Sequence, residues 1–112
     1  MTIGGFPSRR VPAQHLRRLF NEGRYWERAR DGEFRMIVKR NQTPNPPPYG
    51  HPEGTRSQIV SYLHATGDKI AVVHQYVLPD GTIGGSSGRP DPKYLLHEGI
   101  IYQLNDDPTA TP

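Results

Sequence analysis

Residues 41–54, NQTPNPPPYGHPEG, constrain the fold more than any other stretch of this chain. Five of them are proline and two are glycine. Proline lacks the N–H that a helix or a sheet ladder needs, and its ring fixes φ, so this stretch can be neither a helix nor a central strand. The triplet Pro46, Pro47 and Pro48 favours an extended polyproline segment that stays stiff without packing. An SH3-type ligand would carry a flanking basic anchor, which is missing here. Residues 41–54 are therefore expected as a Pro-rich loop that crosses the surface between two strands. Any core must come from the segments on either side.

Those segments have little apolar material. Hydrophobic residues make up 33% of the 112, and a domain of this size buries roughly 65% of its unfolded surface. One modest core is expected, within a single α+β domain over residues 11–104. No apolar run approaches the ~20 residues needed to span a bilayer, so no membrane partner is expected. The first ten residues carry two arginines but no apolar stretch behind them, unlike a secretory signal. Cysteine is absent, which removes disulfides, thiolate metal sites and cysteine nucleophiles. A cytoplasmic location is the expectation, and no cofactor motif is present.

Residues 1–10 contain two glycines and a proline without periodicity, and read as a flexible arm. Pro12 suits the first turn of a helix and Gly23 its end. Between them Leu16, Leu19 and Phe20 recur at helical spacing. Tyr25 and Trp26 follow, either as a second helical turn or as the lead-in to a strand. Residues 33–40 alternate as a strand, with Phe34, Met36 and Val38 on one face. Residues 57–63 and 69–78 flank a Gly-Asp turn and form the clearest hairpin. In the second of these strands Ile70, Val72, His74 and Tyr76 share one face, and apolar residues on both faces suggest a central position. Pro79, Asp80 and Gly81 mark another turn, residues 84–93 a Gly-rich loop, and residues 94–104 a final hairpin. The tail, residues 105–112, is polar and expected to be disordered. The fold class expected is α+β, with an N-terminal helix packed on a four- or five-stranded, mostly antiparallel β-meander.

Charge is unevenly spread. Residues 1–40 carry ten of the fourteen Lys and Arg residues and four of the eleven acids. Arg9, Arg10, Arg17, Arg18, Arg24, Arg28, Arg35 and Lys39 are the candidate nucleic-acid contacts. Arginine presents a planar fork of donors that matches phosphate and carboxylate oxygens. The same residues also read as a solvated face paired with the acidic half of the chain. Trp26 reads as a packing anchor or as a base-stacking platform, and exposed tyrosines such as Tyr49 extend the second possibility.

Residues 74–93 hold the most unusual chemistry. His74 titrates near neutrality and is the candidate for proton transfer; the other reading is a core-facing histidine bonded to backbone. Arg89 and Lys93 lie at the end of a loop whose glycines, with Ser86 and Ser87, allow an anion-binding concavity or simply a turn-rich loop. Arg56 lies at a strand start that also reads as a solvated strand end, and Tyr76 is an auxiliary donor. The other histidines lack metal-ligand spacing, so no metal is expected.

Two kinds of function fit. The first is a small basic binding module for nucleic acid, RNA or DNA, or for an acidic protein partner. The second is a metal-independent, toxin-like ribonuclease with His74, Arg89, Lys93, Arg56 and Tyr76 as its catalytic set. A helix followed by a polar antiparallel meander is similar in layout to barnase-like and RelE-like ribonucleases, with no motif matched. A small phage or mobile-element protein that inhibits a host factor is a further alternative.

Overall fold

A computed structural model describes residues 2–48, 50–84 and 88–105. In chain order the described residues form β1 (Thr2–Ile3), β2 (Phe6–Val11), α1 (Ala13–Glu22), α2 (Tyr25–Arg30), β3 (Arg35–Gln42), β4 (Arg56–Leu63), β5 (Lys69–Val77), β6 (Asp91–His97) and β7 (Ile100–Leu104). All strands join one sheet in the order β1-β2-β7-β6-β5-β4-β3. The class is α+β with helices packed on a sheet, as expected. The sheet has seven strands rather than four or five, and it is mixed, because β2 runs parallel to β7.

The extra strands come from the segment expected to be a flexible arm. Gly4 and Gly5, both at positive φ, turn β1 back on β2. Strand β2 then completes the edge of β7, with Ser8 opposite Ile101 and Val11 opposite Leu104. Of its six residues Val11 alone is buried. Its pairing rests on backbone groups, so the side chains show no alternation for a sequence reading to detect. The expected loop over residues 84–93 is also shorter, since β6 starts at Asp91. Pro92 is buried in that strand beside a register shift between Val72 and Val73, the kind of irregularity that admits proline to a sheet. The expected disordered tail, apart from Asn105, lies outside the described residues, as do Tyr49, Ser86 and Ser87.

The core lies on one side of the sheet. Helix α1 buries Leu16 and Phe20, and α2 buries Tyr25 and Ala29. They meet Val60 and Tyr62 of β4, Ala71 and Val73 of β5, and Leu95 of β6. Four rings form its centre: Phe20 lies 6.0 Å from Tyr25 and 6.2 Å from Tyr62, and Phe34 lies 6.1 Å from Tyr25 and 6.4 Å from Tyr62. Arg28 clamps this group. Its guanidinium lies 4.8 Å from the centroids of both Tyr25 and Phe34, and it donates to Glu33 Oε2 at 2.8 Å and to the Gly23 carbonyl at 3.1 Å. The residues after α2 are thereby tied to the end of α1. Among the described residues no helix is long and apolar enough to cross a membrane.

Replacing Phe20 by alanine removes the ring that bridges α1, α2 and β4. The expected loss is about 3–5 kcal/mol of unfolding free energy, read by urea denaturation. The buried Tyr62 hydroxyl has no hydrogen-bond partner among the described residues, so Tyr62→Phe is expected to retain or raise stability in the same assay.

Candidate nucleic-acid interface

Strand register sorts the polar residues between two faces. In β5, Ala71 and Val73 pack into the core beneath the helices, and Val77, in phase with them, is also buried. His74 and Tyr76 alternate with them and lie on the opposite face, here the helix-free face, which no helix covers among the described residues. The reading of His74 as a core histidine is thus corrected: the core takes the other set of residues on this strand. Ser57 pairs with Tyr76 and Ile59 with His74 in the β4–β5 ladder, so both share that face.

A polar cluster is built there. The Ser57 hydroxyl and His74 Nε2 are 2.8 Å apart. The His74 ring meets Tyr76 edge-on, with centroids 4.7 Å apart. His51 comes from the Pro-rich loop, and its ring lies 4.9 Å from Tyr76. Gly84 leaves room for it, because a β-carbon there would come within 2.7 Å of His51 Cε1. Asp91 is the β6 partner of His74, and Lys93 donates to Asp91 Oδ2 at 3.2 Å. On the other side Arg40 of β3 pairs with Ile59. Arg40, Ile59, His74 and Asp91 thus form one cross-strand row, with Arg40 about 10 Å from His74 at ordinary strand spacing. Burial pushes the His74 imidazole below its ordinary range, the charge of Lys93 pushes it further, and Asp91 opposes both.

The expected catalytic set is divided. His74, Tyr76 and Lys93 come together on the helix-free face. Arg89 lies on the helix side, where it bonds Glu27 Oε2 at 2.8 Å and lies 5.2 Å from the Trp26 ring centroid. Burial works against the charge of Glu27, but the bond from Arg89, a backbone hydrogen bond and the charges of Arg89 and Arg24 together hold the carboxyl below its usual range. Arg56 pairs with Val77 and is exposed at the strand end, one residue out of phase with Ser57. Trp26 also carries the Arg30 guanidinium, 4.2 Å from its centroid, so its ring is engaged by two side chains of the same chain.

The expected nucleic-acid arginines do not share one surface either. Arg28 is part of the core clamp. Arg9 and Arg10 lie on β2, with Arg10 donating to the Leu104 carbonyl at 3.0 Å. Arg24 is the left-handed residue between the two helices. Arg17 and Arg18 line a groove of about 700 Å³ along α1 with His15 and Arg89, yet these three arginines face Asp91, Glu22 and Glu27 respectively. Arg35 lies on β3 two residues from Ile37, on the helix-free face with Arg40, and Lys39 is the residue skipped in the β3–β4 register. Among the described residues no carboxylate pairs with Arg35, Lys39 or Arg40. Sequence reasoning missed Arg40, Ser57 and His51. Ser57 was legible from strand alternation once the register was known, whereas His51 comes from a loop without periodicity. Among the described residues no group of three or more His, Asp or Glu could hold a metal ion. No protein-family model, curated protein or solved structure matches this chain.

The folded chain holds a proton on His74 less tightly than the unfolded chain, whose imidazole titrates near 6.5. Stability is therefore expected to fall as the pH drops through 6.5 toward the lower folded value, and His74→Gln to remove that component. In an NMR titration Lys93→Met should raise the His74 midpoint and Asp91→Asn should lower it. An unmoved midpoint in both variants would place these charges away from the ring.

Proposed function

We propose that the helix-free face of the sheet binds the backbone and bases of single-stranded nucleic acid. The observation that carries this reading is the contrast between the two cationic surfaces. Along α1 each groove arginine faces a carboxylate, whereas Arg35 and Arg40 on the sheet have none among the described residues and share their face with Tyr76, His74 and His51. A phosphate approaching a compensated arginine must displace a carboxylate that already holds it. Approaching Arg35 or Arg40, it displaces only water and releases counterions.

The aromatic residues of this face suit bases. Tyr76 lies among polar rings, and Tyr94 has the Lys69 ammonium 4.2 Å from its centroid. Rings beside cations on an open sheet offer stacking surfaces and phosphate contacts at strand spacing, a combination suited to unpaired bases. A duplex would present its backbone outward and keep its bases from these rings. Single-stranded RNA or DNA is the ligand class that uses both features.

The test is fluorescence anisotropy with labelled single-stranded oligonucleotides and a duplex control across a salt series. Binding should weaken steeply with salt and favour single strands. The double variant Arg35→Glu/Arg40→Glu should weaken it at least on the order of tenfold and flatten the salt dependence, with Arg18→Glu having a much smaller effect. Affinity unchanged in the β3 variant, or lost only in the α1 variant, would overturn the reading. So would an absence of salt-dependent binding, which would leave an acidic protein as the partner class to pursue.

A further inference from the structure

We propose that the helix-free face also cleaves the RNA it binds, with His74 as general base, His51 as general acid and Lys93 as the cation facing the phosphate. This rests on the binding reading above and adds a reaction to it. Two imidazoles flank one tyrosine, at 4.7 and 4.9 Å between ring centroids, on a surface that no helix covers. They arrive from separate parts of the chain, one from a central strand and one from the Pro-rich loop. Neither serves the hydrophobic core. Ser57 fixes His74 through Nε2, and His51 lies against Tyr76 in the space that Gly84 leaves. Among the described residues no hydrogen bond engages Nδ1 of His74, which leaves that nitrogen to accept a proton.

RNA suits this pair because it brings its own nucleophile. The ribose 2′-hydroxyl gives its proton to His74 as its oxygen attacks the adjacent phosphorus. The bond from phosphorus to the 5′ oxygen breaks, and protonated His51 donates a proton to that leaving oxygen. The products are a 2′,3′-cyclic phosphate and a 5′-hydroxyl, and neither water nor a redox partner is consumed. Lys93 stabilises the charge that builds on the phosphate oxygens, in competition with Asp91, its partner at 3.2 Å. Burial and Lys93 keep His74 in its basic, neutral form at neutral pH, while Asp91 acts in the opposite direction. Arg40 lies farther along the same row, positioned for a neighbouring phosphate.

The test pairs a cleavage assay with a binding assay on the full chain. Labelled single-stranded RNA in EDTA is expected to yield fragments with cyclic phosphate ends, identified by mass. The same sequence as DNA or 2′-O-methyl RNA should be bound and left intact. His74→Gln and His51→Ala should each slow cleavage about 10²–10⁴-fold, far more than either weakens affinity for 2′-O-methyl RNA. His51 lies on a loop, so its variant tests the reaction even if the strand variant unfolds. Wild-type protein that binds RNA and leaves it whole would overturn catalysis and keep the binding reading. Cleavage equally fast in both variants, or of DNA, would also overturn it. Failure to bind even 2′-O-methyl RNA would remove both readings together.

Discussion

The stacked group of Phe20, Tyr25, Phe34 and Tyr62, clamped by Arg28, is what holds both helices on one side of the sheet. Each ring comes from a different segment, so their mutual burial fixes where α1, α2, the residues before β3, and β4 stand. With apolar residues at only 33% of the chain, there is not enough material to cover the opposite face with a second layer. That shortage leaves the other face of the sheet without a helical layer, carrying polar and aromatic side chains such as Ser57, His74 and Tyr76 beside aliphatic ones such as Ile59. The candidate site is in this sense a consequence of where the core is.

Alternation then assigns residues to faces. A strand places successive side chains on opposite sides, so committing Ala71 and Val73 to the core commits His74 and Tyr76 to the helix-free side. The same rule in β4 sends Val60 and Tyr62 inward and Ser57 and Ile59 outward. Arg40 follows the outward row only because the β3–β4 register shifts after Val38. Without that irregularity Lys39 would take its place beside Ile59. Met36 and Val38 face the helix side near the sheet edge and are 48% and 50% exposed, with Met36 lining an open groove beside Trp26 and Arg30 of α2.

Much of this was legible in the residues. Pro12 and Gly23 bracket α1 as the spacing of Leu16 and Phe20 predicts, and the hairpin of β4 and β5 follows its turn residues. What could not be read was the edge of the sheet, since β2 pairs through its backbone and offers no hydrophobic pattern. The position of Arg89 was equally hidden. Its guanidinium meets Glu27, 62 residues away in sequence, and nothing local to either residue announces that pairing.

By itself the sequence determined where α1 and the strands after it lie, that the core is small, and that the cations are mostly arginine. These depend on local periodicity, turn chemistry and composition, which act within a few residues. The tertiary structure decided which face His74 occupies, that His51 returns to lie beside Tyr76, and which arginines are already held by carboxylates. Those outcomes depend on strand register and on contacts between distant segments. A shift of one residue in register moves every side chain of a strand to the other face, and only packing against the helices selects between the two.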